Sequence, residues 1–592
     1  MASDSAKAVR TCVAGGVATL ALASVAMLAI AIAGPATIQS AFDRLSADGS
    51  ANVNAVAIQH TAAALAALFG LLAGGLWRNH ASIAGWLSGL VGDVVREGVA
   101  QWQASRGALT ATSVVHRGTL GFIILAGVVI RLIHLGAPMR YDEAYTFNSY
   151  VSQSLPRILV DYWPNNHVLH SILSHLSTML LGDAPWAIRL PAFLAGVLLI
   201  PAIYLLLARF ASAEAALVAA GLTAASPPLV AYSVNARGYT LVALLFLGLA
   251  AVTLELQRRD DRALWAYFVL FATAGLFTIP TMAFAIALCG TALVLSRIGK
   301  GMSAGFLLHM GTALGCTAAL TAALYSPAIL VSGLGVMLDN RFVEAVPWAE
   351  FPSQWRANLG FLWEAWHSGW PGWMRLAVWM AAAAGLTFLL LRRSSSPLVY
   401  LAFGLLGCVA LVLAKRVVPV QRVWLFLVPL YLGFAGIGVS AALRRLAAAS
   451  RSATLAPALA LAACLVGGGF LTASRSVYNS VETGAAPDSE RVATVLSDSL
   501  RPGDRLVVSA LYSHSVWYYV RRAIGSTYDS GPDEPQGRLF VVVDSAEKRS
   551  LDELLRARGV DGGNFVEEKK LWESAGAEVL ELHHKAPAHD PI

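Results

Sequence analysis

A chain of 592 residues that is 57% hydrophobic and 13% charged has too little polar surface for a soluble globular protein, and reads as a polytopic α-helical membrane protein. Its net charge of +7 is scattered between apolar runs, whereas a nucleic-acid binder concentrates its cations on a soluble domain, so nucleic acid is excluded as a partner. The five cysteines (Cys12, Cys289, Cys316, Cys408 and Cys464) lie in apolar runs without Cys-x-x-Cys spacing, which excludes a disulfide framework and a cysteine metal site.

A span needs roughly 20 mainly apolar residues, and on that requirement about thirteen transmembrane helices are expected. They begin near Thr11, Ala55, Thr119, Trp186, Ala213, Tyr239, Leu264, Met282, Gly305, Met374, Pro397, Val423 and Leu455. Lys7 and Arg10 precede the first, but its apolar run is too long for a signal-peptide core, so it is expected to remain as a helix. Residues 79–117 are too polar to span. Their Trp86-Leu87, Val91 and Val94-Val95 pattern suggests an interfacial helix on the cytoplasmic leaflet. Residues 1–117 thus form two extra spans and that helix, ahead of a membrane core over 118–475. From residue 476 the composition turns soluble. Residues 505–509, 538–544 and 578–583 read as strands, with helices at 513–523 and 550–558, so a small α/β domain is expected over 476–592.

With the N-terminus in the cytoplasm, Arg78, Arg96, Arg106, Arg117, Arg209, Arg258, Arg259, Arg262, Arg444 and Arg445 fall in inward segments, as the positive-inside rule requires. Segments 136–185, 226–238, 332–373 and 414–422 and the C-terminal domain then face the periplasm or exterior of an inner (plasma) membrane. One short outward loop, with Lys415, Arg416 and Arg422, defies the rule, and an anionic ligand is the expected reason.

Chemistry-bearing residues gather on that outward side. Tyr141-Asp142-Glu143 follows a span directly, although a charge at mid-membrane costs about 3 kcal/mol or more. Next come Asn166, His167 and His170, then Arg189, then Arg237 and Tyr239. The spans carry almost no ionisable group at mid-depth, which disfavours an ion-coupled transporter.

The ordered series Tyr141-Asp142-Glu143, Asn165-Asn166-His167-x-x-His170, Trp186-Ala-Ile-Arg189-Leu-Pro-Ala-Phe193 and Asn235-Ala-Arg237-Gly-Tyr239 resembles the C-type glycosyltransferases. Within them it is similar to the branch of protein O-mannosyltransferases, lipid A aminoarabinose transferases and lipopolysaccharide galacturonosyltransferases. The resemblance covers residues 119–445 and is densest over 131–239. It implies a C-type transmembrane core, a polyprenyl-phosphate-linked sugar donor, a lipid, glycan or protein acceptor, and Asp142 as catalytic base. The chemistry agrees. Attack of an acceptor hydroxyl on C1 needs a base within hydrogen-bond reach and inverts the anomeric centre. The departing phosphate needs fixed cations, for which Arg237, Lys415, Arg416 and Arg422 are candidates, with Arg189 behind them. Glu143 is cast as a second acceptor contact, and Tyr141, Asn166, His167, His170 and Tyr239 as substrate contacts. A divalent metal could serve the phosphate in place of fixed cations and stays open as a cofactor, with Glu143 and His167 as its candidate ligands.

Structural readings compete with each assignment. The acid pair could cap a helix over 145–155, Arg189 could snorkel to headgroups, and the histidines could be hydrogen-bonded braces. The tryptophans over 348–373 fit an interfacial belt more simply than a sugar platform. Two other functions stay open: a transporter or flippase of lipid-linked sugars, and a non-catalytic envelope scaffold.

Overall fold

Ten helices among the described residues are long and apolar enough to cross a bilayer, and the broken pair Ala213–Ala224 and Pro227–Ser233 makes an eleventh. The computed structural model describes residues 2–43, 54–298, 301–333, 335, 344–391, 396–446, 449–480, 482–501, 503–525, 538–545 and 550–584. Every apolar run expected from the sequence is helical, but two of them, Arg262–Thr278 and Met282–Arg297, have only 17 and 16 residues. The expected thirteen therefore resolve into full-length, broken and short helices. A further short apolar helix, Val168–Leu181, lies in the segment expected to be an outer loop. It is amphipathic in the inverse sense. His170, Ser171, Ser174 and Ser177 are buried, while Leu176, Met179 and Leu180 are exposed.

The broken pair bends by 57° at Ala225-Ser226, ahead of Pro227-Pro228. A residue before proline avoids the helical region, and the prolines leave carbonyls without N–H partners. Arg131, fully buried in Val114–Leu135, compensates. It donates to the Ala224 carbonyl at 2.9 Å and to Ser233 Oγ at 3.0 Å, one contact on each half of the break. Irregular backbone at membrane depth persists only with such internal partners. The break carries the chain into the 234–238 loop, which shapes the site.

At the other end of the bundle, the segment expected to be interfacial is one helix, His80–Thr110. It is pinned to the bundle rather than lying apart from it. Glu97 pairs with Arg259 and Asp93 with Arg262, and Tyr267 donates to the Val94 carbonyl at 3.0 Å.

The C-terminal domain is an α/β unit with a four-stranded sheet. In chain order the strands are β1 (Arg505–Val508), β2 (Leu539–Asp544), β3 (Phe565–Glu573) and β4 (Ala577–His584), and across the sheet the order is β1-β2-β4-β3. β1 and β2 are parallel, joined across the helix Ala510–Ile524; β4 is antiparallel to both β2 and β3. Sequence reasoning missed β3, because Phe-Val-Glu-Glu-Lys-Lys-Leu-Trp-Glu lacks the apolar run of its neighbours. It is an edge strand, where charge guards against strand-to-strand aggregation. One face of the sheet packs in a cluster containing Val516, Tyr519, Phe540 and Val579 together with Met139, Ala144, Ile188 and Ala236. The domain core is therefore continuous with the end of the membrane bundle that carries the acid pair.

Candidate functional site

The chain leaves the span Val114–Leu135 and turns at Arg140 into the short helix Tyr141–Thr146. Glu143, three residues in, folds back to accept the Arg140 N–H at 2.8 Å and closes a capping box. The same carboxylate accepts the Ala236 N–H at 2.8 Å and Arg189 Nε at 3.0 Å, with a second Arg189 nitrogen on its other oxygen. The rest of the Arg189 fork donates to the carbonyls of Leu135, Ala137 and Pro138. Neither side chain is exposed. Burial alone would raise the Glu143 carboxyl, but the Arg189 and Arg140 guanidiniums and the Ala236 N–H hold it below the usual carboxylate range. Glu143 and Arg189 thus brace the loop. The expected roles, acceptor contact or metal ligand for Glu143 and phosphate contact for Arg189, give way to a structural one.

Asp142 is about 100° round the helix from Glu143, and its surroundings differ accordingly. Its carboxylate is 3.3 Å from Arg422, and both side chains are partly open. Arg422 also sits in the electrostatic reach of Tyr239, Tyr232 and Glu482. Tyr232 donates its hydroxyl to Glu482 at 2.6 Å. Burial lifts the Glu482 carboxyl above its ordinary range, even against the Tyr232 hydrogen bond and Arg422. Arg422, Tyr232 and Glu482 line a cavity of ≈ 640 Å³, whose apolar walls include Pro227, Pro228, Phe361, Trp366 and Leu425. Glu364 and Arg375 add a second pair of charges to it, 2.7 Å apart. Phe361, Glu364 and Trp366 come from the helix Phe351–His367, so part of the Trp-rich segment forms a cavity wall. Trp348 and Trp373 are exposed, as a belt would be.

Several other expected site residues turn out to be struts. Arg237 is buried, donating to Thr146 Oγ at 2.9 Å and to the Asn165 carbonyl at 2.8 Å, with His167 Nε2 at 3.1 Å. The other ring nitrogen of His167 accepts the Gly238 N–H at 2.9 Å. A Cβ at Gly238 would press on Thr278 and His167, so only glycine permits this approach. Burial, then Arg237, push the His167 imidazole well below its ordinary pKa, and both ring nitrogens face N–H donors of the protein, Arg237 and Gly238. Asn166 donates to the carbonyls of Ile158 and Asp161, both at 2.9 Å, and accepts from Ser171. His170 is buried, with Ser174 Oγ 3.5 Å away. Among the described residues no group of three or more His, Cys, Asp or Glu is placed to hold a metal.

The basic loop divides. Lys415 is exposed and Arg416 is half-buried in a left-handed conformation (φ 53°), its carbonyl accepting the Val346 N–H at 2.8 Å. Neither side chain makes a hydrogen bond or ion pair to another described residue. Arg422 is the member of this loop that reaches Asp142. Tyr239 stays with the cluster, its ring 5.0 Å from Tyr232 and its face towards Arg237 at 5.9 Å.

Further contributors come from beyond the last span. Glu482 is one. The helix Ala510–Ile524 supplies His514, whose ring stands edge-on to Tyr141 at 4.9 Å and to Tyr145 at 4.7 Å. Burial, reinforced by Arg558, pushes its imidazole down to about 4, and Asp142 is close enough to oppose that shift. The same helix anchors the loop, with the Met139 N–H donating to the Tyr519 hydroxyl at 2.9 Å and Tyr518 donating to the Asp183 carbonyl at 2.6 Å. The Tyr141 N–H donates to the Gly484 carbonyl at 2.9 Å. No local motif announces Glu482 or His514; the one signal was an isolated acid directly after the last span.

Residues 167–329 match a family model described as dolichyl-phosphate-mannose-protein mannosyltransferase. The fold is similar to that of ArnT from Cupriavidus metallidurans bound to undecaprenyl phosphate, with a TM-score of 0.52 and 13% identity over 78% of this chain and 98% of that one. ArnT in the apo state gives a TM-score of 0.51 at the same identity and coverage. The archaeal oligosaccharyltransferase AglB from Archaeoglobus fulgidus, in complex with an inhibitory peptide and a dolichol phosphate, gives a TM-score of 0.42 at 13% identity, over 73% of this chain and 69% of that one. No curated protein sequence matches the chain. The resemblance to the C-type glycosyltransferases is thus borne out by a sequence-family match over part of the core and by fold over most of the chain.

Proposed function

We propose that this membrane protein is an inverting glycosyltransferase that moves a sugar from polyprenyl phosphate to an acceptor hydroxyl, with Asp142 as the base. The acceptor oxygen attacks C1, the bond from C1 to the phosphate oxygen breaks, and its electron pair leaves with the phosphate. The hydroxyl proton passes to the Asp142 carboxylate and from there to water. Arg422 meets the charge that develops on the phosphate, exchanging the Asp142 carboxylate for it as the donor enters and leaving that carboxylate free for the acceptor. Glu482, hydrogen-bonded by Tyr232, adds a second acid within electrostatic reach of Arg422. Pro227, Pro228, Phe361 and Leu425 offer the prenyl chain an apolar wall.

The observation that carries this reading is the partly open Asp142–Arg422 pair, with Arg422 lining a large, partly apolar cavity, while Glu143, Arg189 and Arg237 are committed elsewhere. ArnT, whose fold this chain shares, was captured with undecaprenyl phosphate, which fits a polyprenyl-phosphate donor here. The cations Arg209, Arg258, Arg259 and Arg262 sit at helix ends and in the turn between them, at the opposite end of the bundle. The positive-inside rule therefore favours an outward-facing site in an inner membrane.

The test is transfer or donor hydrolysis by the purified protein, using polyprenyl-phosphate sugars radiolabelled in the sugar. Asp142→Asn should lower kcat by about 10²-fold or more, the usual worth of a general base, without weakening undecaprenyl phosphate binding. Arg422→Gln should weaken that binding. Full activity in a folded Asp142→Asn protein would sink the mechanism.

A further inference from the structure

Arg422 has two carboxylates in its electrostatic reach, and the fold pairs it with one of them. Its ion pair goes to Asp142, at 3.3 Å, whereas Glu482 makes none among the described residues. One Glu482 oxygen accepts the Tyr232 hydroxyl at 2.6 Å, and among the described residues the other accepts no hydrogen bond. A carboxylate offers about four lone-pair sites, so Glu482 keeps acceptor capacity on the wall of the ≈ 640 Å³ cavity.

The chain is clamped on both sides of this acid. Before it, Arg140 donates to the Val477 carbonyl at 3.0 Å; after it, the Tyr141 N–H donates to the Gly484 carbonyl at 2.9 Å. Gly484 has φ 68°, and a Cβ there would lie 3.2 Å from the Tyr141 Cβ. The loop that presents Asp142 thus also fixes the chain around Glu482, which preorganises the acid for a ligand. Asn479 and Ser480 line the same cavity, so its polar groups gather on the chain beyond the last span, while Pro227, Pro228, Phe361 and Leu425 are apolar.

In a polyprenyl-phosphate sugar the anomeric carbon is two bonds from phosphorus. A phosphate on Arg422, with C1 within reach of an acceptor held by Asp142, therefore sets the sugar ring beside Arg422. A carboxylate accepts hydrogen bonds from ring hydroxyls, and amide and hydroxyl side chains both accept and donate. The charged groups lining the cavity are Glu364 with Arg375, and Glu482 with Arg422. Once Arg422 is taken by phosphate, the surplus is negative, and a further carboxylate on the sugar would be repelled.

We propose that Glu482 is the specificity-determining residue of a donor-sugar subsite, formed with Asn479 and Ser480, for a hydroxyl-bearing sugar that has no carboxylate of its own. The subsite rests on the transferase reading and names the class of sugar that the carrier brings.

The experiment is competition against radiolabelled undecaprenyl phosphate on the full-length protein in nanodiscs. The competitors are undecaprenyl phosphate itself and its glucosyl, mannosyl, N-acetylglucosaminyl and galacturonosyl forms. At least one of the three non-acidic forms should bind about 10-fold more tightly than the bare carrier, the worth of a charge-assisted hydrogen bond. The galacturonosyl form should gain nothing. Glu482→Gln keeps an acceptor for the Tyr232 hydroxyl, so it should leave bare-carrier affinity unchanged and take away most of the gain. Asn479→Ala, at an exposed side chain, should reduce the gain with the same bare-carrier affinity. A gain that survives both substitutions, or tightest binding of the galacturonosyl form, would overturn the subsite. So would an equal loss of bare and sugar-bearing carriers in a Glu482→Gln protein that unfolds at the wild-type temperature, because Glu482 would then act only through Arg422. If the wild type does not bind undecaprenyl phosphate, the transferase reading fails; if it binds the bare carrier and gains nothing from a non-acidic sugar, the subsite alone fails.

Discussion

Asp142 and Glu143 are chemically alike and adjacent, yet the fold gives them opposite surroundings. Glu143 is sealed with Arg189 and two backbone N–H groups; Asp142 is partly open beside Arg422. Breaking one side of a buried pair strands the other charge. Glu143→Gln should therefore lower stability by about 3 kcal/mol or more at pH 7, read as thermal unfolding in detergent. The pH dependence has a definite sign. Because the folded-state pKa of Glu143 is depressed, its contribution is complete above the unfolded value of about 4.3 and is lost as pH falls through the folded value. The gap between wild type and Glu143→Gln should accordingly narrow only below about pH 4. A gap that closes already at pH 6 would rule this account out. The acid pair stood out in the sequence at the mouth of the membrane core. Which member is which was not legible there, because a rotation of about 100° per residue hands neighbours to different surroundings.

Among the helices, polar and small residues do work that hydropathy hides. Arg131 repairs the broken helix from inside the span Val114–Leu135, and Val168–Leu181 buries His170 and its serines while turning leucine outward. Lipid drives neither arrangement by hydrophobicity, since leucine gains nothing from helix contact there; internal hydrogen bonds and close packing decide. The seam between Gly372–Leu391 and Val428–Leu446 shows the packing side. A Cβ at Gly438 would collide with the Ala381 carbonyl, and one at Gly385 with the Phe434 carbonyl. Gly438→Leu should force these helices apart and give a protein that aggregates on extraction, whereas Gly290→Leu, facing open space, should extract as wild type. Monodisperse wild-type-like elution of Gly438→Leu on size exclusion would refute close contact there. Elements were the most readable part of the sequence: each apolar run became a helix, and three of the four strands were found. β3 escaped because an edge strand needs no apolar face.

The molecule joins a membrane bundle to an α/β domain through the same segment that carries the acid pair. Tyr519 accepts the Met139 N–H, Tyr518 donates to the Asp183 carbonyl, and Asn148 donates to the His514 carbonyl at 3.1 Å. Each tyrosine hydrogen bond is worth about 1 kcal/mol. Tyr518→Phe with Tyr519→Phe should loosen the dock without unfolding either part, seen as faster amide exchange over 510–524 and reduced transfer. Unchanged exchange would mean that the shared apolar cluster, not these bonds, holds the domain. Composition and local period, set by contact with lipid or water at each residue, sufficed to read the membrane core, the appended α/β domain and the convergence of acids, cations and aromatics on one end. The roles within that convergence needed the tertiary structure. Each of these charges takes its partner from a distant segment, Glu143 from Arg189, Arg237 from Thr146 and Asn165, and Arg422 from Asp142. Electrostatic pairing in a low dielectric acts over ångströms in space, and a sequence records only distance along the chain.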